Sequence, residues 1–287
     1  MVLWDGMSVP TITLNNQTTI PQLGFGTYQV PPEDTAAAVS TALEIGYRHI
    51  DTAQMYQNEA GVGEAITSSG IARDELWITS KLNNGFHRPD DARRSFDETL
   101  EKLGVDVIDL FLIHWPLPTR YDGDYVSTWR TLTELVDQGR ARAVGVSNFQ
   151  PAHLDRIVAE TGVVPAVNQI EVHPYFCNEE ARAASIRHGI EVEAWSPIAQ
   201  GAVLDDEVIG RIAEAHGKTP AQVTLRWHVE RGDIVFPKSV TEQRIRENFD
   251  IFDFSLSVDE VAEISALDRG AAGRTGPDPD TFDYIPS

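Results

Sequence analysis

The chain has 287 residues, 41% of them hydrophobic, and a formal net charge of −21 at pH 7. This length suits one (β/α)8 barrel of about 250 residues with additions. So large an excess of acidic residues argues against binding to nucleic acid or to an anionic membrane, because both need a basic surface. An anionic cofactor would need a local cationic pocket, so any cluster of Lys and Arg is informative.

Membrane insertion, secretion and disulfide bonding are also disfavoured. The apolar runs are far shorter than the roughly 20 residues of a membrane-spanning helix. Cys177 is the only cysteine, and the N-terminus lacks the basic stretch and apolar run of a secretory signal. We therefore expect a cytoplasmic protein with no membrane partner and no nucleic-acid partner.

Alternating residues at 11–14 and 18–20 predict an N-terminal β-hairpin. Eight strand-like runs follow, separated by helical patterns with apolar residues at i, i+3 and i+4. The runs occupy residues 23–27, 47–52, 76–81, 110–114, 143–147, 166–169, 191–195 and 234–237. Strands alternating with helices predict a parallel sheet, and eight such units predict a single (β/α)8 TIM barrel over residues 1–287. A doubly wound open sheet is the alternative topology.

The C-terminal part adds extra helices to this alternation. Helical patterns cover residues 205–216 and 220–231 before the last strand, and 241–249 and 258–267 after it. From Gly270 the sequence is rich in Gly, Pro and Asp and has no periodicity. This predicts a flexible tail, or one that folds over the barrel mouth.

Four chemically complementary residues lie at or just after the ends of strands two, three and four: Asp51, Tyr56, Lys81 and His114. A closed parallel barrel brings the carboxyl ends of its strands together. A nearby ammonium lowers the pKa of a phenol, a carboxylate holds the ammonium, and an imidazole supplies a second hydrogen-bond donor. The set predicts a site that donates a proton to a polarised carbonyl. Taken singly, each residue could equally be a helix cap, a surface ring, a solvated lysine or a core histidine.

A cationic cluster follows the last strand. Lys238, Ser239 and Arg244 combine two positive charges with a hydroxyl near a helix start, where barrels often bind phosphate. Arg244, Glu247 and Asn248 lie on one helix face by their spacing. In so acidic a chain we interpret this cluster as a phosphate site, with an ordinary solvated helix face as the alternative.

Polar and aromatic residues also end strands five, six and seven. Asn148 and Gln169, with Ser147, are suited to bonding a carboxamide, and Trp195, followed by Ser196, is suited to stacking on a flat ring. The sequence has no G-x-G-x-x-G after a strand, no H-E-x-x-H and no histidine cluster with metal-ligand spacing. We therefore expect neither a Rossmann fold nor a metal site.

These motifs resemble those of the aldo-keto reductases, from the hairpin to about Leu267. The matching segments are Gly-Tyr-Arg-His-Ile-Asp-Thr-Ala (46–53), Leu-Ile-His-Trp-Pro (112–116), Gly-Val-Ser-Asn-Phe (145–149), Asn-Gln-Ile-Glu-Val-His-Pro (168–174) and Phe-Pro-Lys-Ser-Val (236–240). The first and fourth look most like the bacterial branch that reduces 2,5-diketo-D-gluconate and related carbonyls.

The resemblance implies a monomer that reduces aldehydes or ketones with NADPH bound in an extended conformation. Its implied catalytic tetrad is Asp51, Tyr56, Lys81 and His114, with Tyr56 as the general acid. At the nicotinamide end of the cofactor, the implied contacts are Thr27 and Asp51 with the ribose, Ser147, Asn148 and Gln169 with the carboxamide, and Trp195 and the adjoining Ser196 with the ring. At the other end, they are Lys238, Ser239, the adjoining Val240 and Arg244 with the 2′-phosphate, and Glu247 and Asn248 with the adenine. The implied substrate-pocket walls are Tyr28, Trp77, His114 and Trp115.

Two departures from the family pattern affect these expectations. Asn83 and Asn84 stand where relatives often carry a tryptophan, which changes the expected substrate pocket. Glu242 lies near the proposed phosphate site, and Thr241 replaces a basic residue of some relatives, which predicts a softer preference for NADPH. The competing function is a non-catalytic NADPH-binding barrel that acts as a redox sensor or partner subunit.

Overall fold

The computed structural model of the chain describes residues 9–286. The N-terminal stretch for which the sequence predicts no secretory signal lies outside these residues. Strands β1 (Thr11–Thr13) and β2 (Thr19–Pro21) pair antiparallel and form the predicted hairpin.

Eight further strands form one parallel sheet in which each strand pairs with the next one along the chain. They are β3 (Phe25–Gly26), β4 (His49–Asp51), β5 (Trp77–Leu82), β6 (Ile108–Ile113), β7 (Ala141–Ser147), β8 (Val167–Glu171), β9 (Glu191–Trp195) and β10 (Ile234–Val235). This order is that of a barrel, and it excludes the doubly wound alternative, in which the strand order reverses.

Backbone hydrogen bonds between the first and last strands close the sheet. The Gly24 N–H donates to the Val235 carbonyl at 2.7 Å, and the Val235 N–H donates to the Gln22 carbonyl at 2.9 Å. At the same seam a β-carbon on Gly26 would lie 2.6 Å from the Phe236 carbonyl oxygen, so only glycine permits this approach. The predicted (β/α)8 barrel is therefore confirmed.

Ten α-helices accompany the strands within the described residues. They are α1 (Pro32–Ile45), α2 (Glu59–Ser68), α3 (Pro89–Leu103), α4 (Tyr125–Asp137), α5 (Pro151–Thr161), α6 (Glu179–Arg187), α7 (Glu207–His216), α8 (Pro220–Glu230), α9 (Glu242–Phe249) and α10 (Val258–Ser265). Helices α7 to α10 are the extra C-terminal helices that the sequence predicts. None of the helices within residues 9–286 has both the length and the apolar character needed to cross a bilayer.

Helix α2 is not among the helices predicted from the sequence. It contains Gly61 and Gly63, which have low helix propensity. A β-carbon on Gly63 would lie 2.4 Å from the Lys102 carbonyl oxygen, and one on Gly61 would lie 2.9 Å from the Thr35 side chain. The glycines thus let α2 approach its two neighbouring helices closely, and this packing compensates for their poor propensity.

Two apolar clusters hold the barrel together. The larger one packs the strands against the helices and includes Phe96, Phe111 and Trp129. The smaller one closes the amino-terminal end of the barrel, where the hairpin residues Leu14 and Ile20 cover Trp77, Leu110, Leu112, Ala143, Ala166, Val167 and Ile234. With that end plugged by the hairpin, the opposite end is the one open to a ligand.

Candidate active site

The centre of the open end is a buried ion pair. Asp51 ends β4 and Lys81 lies near the end of β5, and the Lys81 Nζ is 2.7 Å from Asp51 Oδ1 and 2.8 Å from the Thr52 carbonyl oxygen. Lys81 is fully buried and Asp51 is 2% exposed. Buried charges need such partners, because an unpaired charge in this environment is costly.

Tyr56 lies beside this pair, with its hydroxyl 3.4 Å from the Lys81 Nζ. A short 3-10 helix, Gln54–Tyr56, carries the ring from the end of β4. Burial, followed by the charge of Asp51 and by Tyr28, raises the pKa of Tyr56 well above its usual range. The expected lowering of this pKa by the ammonium is therefore wrong, because burial dominates. At neutral pH the phenol keeps its proton, as a proton donor must.

His114 follows β6 directly and faces Tyr56, with ring centroids 5.7 Å apart. Burial, and then the Lys81 charge, lowers the pKa of His114 well below its usual range, so the imidazole is neutral. Its Nδ1 is buried and has no hydrogen-bond partner within residues 9–286. The structure thus brings together all four residues of the predicted tetrad.

A network of side chains at the ends of β7, β8 and β9 adjoins the pair. Gln169 Nε2 donates to Asp51 Oδ2 at 2.9 Å, and Trp195 Nε1 donates to Asn148 Oδ1 at 2.8 Å. Asn148 Nδ2 donates to the His114 carbonyl, and Ser147 Oγ donates to the Gln169 carbonyl. Asn148, which follows β7, and Ser196, which follows Trp195 at the end of β9, both have a left-handed backbone, with φ of 65° and 50°. This conformation is strained for residues other than glycine and often occurs at functional sites.

Thr27 also reaches this site, through Asn58. The Thr27 hydroxyl donates to the Asp51 carbonyl at 3.1 Å, and Asn58 Nδ2 donates to the Thr27 carbonyl at 2.9 Å. Asn58 is almost fully buried and also accepts a hydrogen bond from the Thr52 hydroxyl. Sequence reasoning missed Asn58, although its position two residues after Tyr56 was a possible signal.

The cations after β10 are arranged differently from Lys81. Lys238 and Arg244 form no ion pair with any carboxylate in residues 9–286, whereas Glu242 is engaged by Arg246 at 2.8 Å. Glu247 accepts a hydrogen bond from Gln243 at 2.8 Å. Ser239 and Asn248 are both 7% exposed, while Val240 is half exposed at 52%. Two uncompensated cations in a chain of net charge −21 fit an anionic ligand.

Aromatic side chains line the mouth. Tyr28 packs on Tyr56 with ring centroids 5.2 Å apart, and Trp115 packs on Phe282 of the C-terminal tail at 4.2 Å. Trp77 is elsewhere: it begins β5, at the opposite end of that strand from Lys81, in the cluster covered by the hairpin. The structure therefore contradicts its predicted role as a wall of the substrate pocket. A tryptophan at the start of a parallel strand points to the closed end of the barrel.

The tail from Gly270 lies across the mouth. The buried Glu171 carboxylate accepts hydrogen bonds from the Thr275 N–H and hydroxyl, both at 2.6 Å, and from the Gly276 N–H at 3.1 Å. Farther along, the Tyr284 carbonyl accepts a hydrogen bond from Asn84 Nδ2 at 2.9 Å. Of the two courses expected for the tail, these contacts match the one over the mouth. Sequence reasoning missed Glu171 and Phe282, because only long-range contacts reveal them.

Gln54 is another residue that sequence reasoning missed. Its Oε1 accepts hydrogen bonds from the Asn83 N–H at 2.6 Å and from the Ser95 hydroxyl at 2.7 Å. Its Nε2 donates to the Thr99 hydroxyl at 2.8 Å. Gln54 therefore fixes the turn that carries Tyr56 against α3 and against the loop after β5 that contains Asn83.

The residues present fit a ligand that is polar at one end and anionic at the other. Gln169 Oε1 accepts no hydrogen bond from the described residues, so hydrogen-bonding capacity remains at the strand ends. The unpaired Lys238 and Arg244 supply the anion site. No group of three or more His, Cys, Asp or Glu side chains in residues 9–286 is arranged to bind a metal ion.

Fold and site together define a (β/α)8-barrel protein whose polar ligand site lies at the carboxyl ends of its strands. The model of the Aldo/keto reductase family matches residues 22–269, and the chain belongs to that family. The predicted family is thereby confirmed.

Several known proteins are similar to the chain over nearly its whole length. An aldo-keto reductase of Mycolicibacterium smegmatis is 50% identical over 96% of this chain and 98% of its own. Methylglyoxal reductase DkgA of Escherichia coli is 48% identical over 96% of this chain and 99% of its own. Among solved structures, Gox0644 in its apo form has a TM-score of 0.92 and 44% identity over 97% of this chain and all of its own, and a mutant of Gox0644 has been solved in complex with NADPH.

Proposed function

We propose that this chain reduces aldehydes or ketones to alcohols with NADPH, and that Tyr56 delivers the proton. The observation that carries this proposal is the protonated Tyr56 hydroxyl 3.4 Å from the Lys81 ammonium, beside a neutral His114. The relatives named methylglyoxal reductases and the neighbour solved with NADPH support the same reading.

Ser147, Asn148, Gln169, Trp195 and Ser196 would hold the nicotinamide end of the cofactor, and Thr27 and Asp51 its ribose. Lys238, Ser239, Val240 and Arg244 would hold the 2′-phosphate, with Glu247 and Asn248 at the adenine. When bound, NADPH supplies a hydride to the carbonyl carbon. Two observations support this assignment. The Gln169 Oε1 accepts no hydrogen bond from the described residues and can accept one from the carboxamide, and Lys238 and Arg244 have no carboxylate partner in the same residues.

Tyr56 then donates its hydroxyl proton to the carbonyl oxygen, so one hydride and one proton convert the carbonyl to an alcohol. The neutral His114 donates a hydrogen bond that orients and polarises the same oxygen. The phenolate left on Tyr56 is stabilised by the Lys81 ammonium, which Asp51 holds in place. These roles depend on the protonation states of Tyr56, His114 and Lys81 and on their positions around one carbonyl oxygen.

The substrate class that we propose is a small polar carbonyl, such as a 2-oxoaldehyde, a diketone or a keto-sugar. Tyr28, His114 and Trp115 would border it. Relatives named methylglyoxal reductase, such as the Escherichia coli protein at 48% identity, support a small polar carbonyl as the substrate.

The test is NADPH oxidation with methylglyoxal, a vicinal diketone, a keto-sugar and an apolar aldehyde of similar size. Turnover that is faster with the polar carbonyls supports the proposal. Tight NADPH binding without turnover on any of them would instead favour a non-catalytic sensor. Turnover only on the apolar aldehyde would reject the proposed substrate class.

A further inference from the structure

A second carboxyl group lies inside the barrel, below the site described above. Glu193 is in the middle of β9 and is fully buried. Its Oε2 accepts a hydrogen bond from Gln169 Nε2 at 2.8 Å, and the same nitrogen donates to Asp51 Oδ2 at 2.9 Å. One amide group therefore bridges two carboxyl groups, one of which belongs to the catalytic ion pair.

The charges around Glu193 favour its neutral form. Asp51 on β4 and Lys81 on β5 already neutralise each other. His49 on β4 is buried and has its pKa lowered to about 3 by burial, so it adds no charge at neutral pH. β10 contributes the apolar pair Ile234 and Val235. No cation is left for Glu193, and its pKa is raised to about 8 by burial and then by Asp51.

The second oxygen of Glu193 sharpens this argument. Oε1 is buried and has no hydrogen-bond partner within residues 9–286. An unpartnered oxygen is far more costly on a carboxylate than on a neutral acid. The neutral form of Glu193 therefore fits its surroundings, and its one hydrogen bond in the described residues is the one that it accepts from Gln169.

We propose that Glu193 is a positioning residue, which as a neutral acid holds the Gln169 amide nitrogen toward Asp51 and so leaves the Gln169 oxygen facing the mouth. In that orientation Gln169 accepts a hydrogen bond from the N–H of a bound carboxamide. This inference rests on the proposed NADPH-dependent function and extends it to a residue that touches neither cofactor nor substrate.

The orientation of Gln169 then depends on the acceptor oxygen of Glu193. Without that oxygen, one N–H of the Gln169 amide has no acceptor, so the amide is free to turn and its oxygen no longer faces the carboxamide. Loss of the hydrogen bond to the carboxamide corresponds to about a 3- to 10-fold weaker binding.

The experiment measures the NADPH dissociation constant by quenching of tryptophan fluorescence at pH 7, without substrate. Glu193→Gln retains the size and the acceptor oxygen, so its constant should equal that of the wild type. Glu193→Leu keeps a side chain of similar size but removes the acceptor, and its constant should rise about 3- to 10-fold.

Thermal unfolding followed by circular dichroism checks that each ligand-free variant is folded. Wild-type affinity in a folded Glu193→Leu, or an equal loss of affinity in folded Glu193→Gln and Glu193→Leu, would overturn the proposal. A wild-type protein that fails to bind NADPH or to reduce carbonyls at pH 7 would instead overturn the proposed function, so the two failures are distinguishable.

Discussion

The two charged regions of the molecule, the Asp51–Lys81 pair and the cations after β10, follow opposite rules. Lys81 is fully buried and every nearby charge is compensated. Lys238 and Arg244 have no ionic partner in the described residues, although the chain carries 44 acidic residues against 23 basic ones. Proton transfer needs charges that are fixed before a ligand arrives, whereas an anion site needs charges that the ligand itself will neutralise.

Replacing Tyr56 by Phe should give the largest effect on the buried region. Without the hydroxyl no proton reaches the carbonyl oxygen, so kcat should fall about 10²- to 10⁴-fold while the NADPH dissociation constant stays within a factor of two or so. Steady-state kinetics and fluorescence titration measure the two quantities. Tyr284→Phe is the matched control, because its hydroxyl makes no hydrogen bond in the described residues. Wild-type kcat in Tyr56→Phe would remove Tyr56 from its role.

Lys81→Met tests whether the buried region is a linked pair. It leaves Asp51 buried without its cation and should lower the free energy of unfolding by about 3–5 kcal/mol, in addition to impairing turnover. Arg94→Met is the control: its side chain is 61% exposed and pairs with the partly exposed Asp91 at 2.7 Å, so its loss should cost less than about 1 kcal/mol. Urea unfolding measures both. Equal losses would show that burial does not distinguish the two cations.

Arg244→Ala tests the exposed region. Loss of a charge-assisted hydrogen bond of about 1.5–3 kcal/mol should raise the NADPH dissociation constant roughly 10- to 150-fold and leave that for NADH nearly unchanged. Arg246→Ala, on the same helix but paired with Glu242, should change neither by much. If Arg244→Ala weakened the binding of NADPH and of NADH equally, Arg244 would not bind the 2′-phosphate.

A smaller, graded effect should come from His49, which is buried beneath Asp51 with its pKa lowered to about 3. The unfolded chain takes up this proton near pH 6.5 and the folded chain does not, so stability is lost as the pH falls from about 6.5 toward 3. The contribution is about 1.4 kcal/mol per pH unit. In His49→Gln the unfolding free energy should fall less steeply between about pH 6.5 and pH 5 than in wild type. Identical slopes would mean that His49 titrates normally.

The sequence was sufficient for much of the barrel and for the convergence of Asp51, Tyr56, Lys81 and His114 at one end of it, because both depend on local patterns. Asp51, Lys81 and His114 lie at or next to the ends of apolar runs, and parallel strands bring such ends together. Trp77 was misplaced because it was assigned to the pocket wall from the family resemblance, whereas its position at the start of β5 assigns it to the closed end. Position along a strand was the better guide.

Other features could not be predicted because they depend on contacts between distant parts of the chain. Glu193 alternates with its neighbours like any strand residue, and only barrel closure shows that it faces the interior beside Gln169. The upward shift of the Tyr56 pKa depends on burial by surrounding elements. The course of the tail depends on Glu171, which lies 104 residues before Thr275.

The tail also bears on the timing of turnover. Gly276 lies so close to Trp195 that a β-carbon there would be 2.4 Å from the indole, and Phe282 covers Trp115. The hydrogen bonds from Thr275 and Gly276 to Glu171 hold the tail in this position. If a bound molecule were enclosed between these rings and the tail, its dwell time would depend on how often that carboxylate exchanges its backbone partners for water, a rate that is separate from the chemical step.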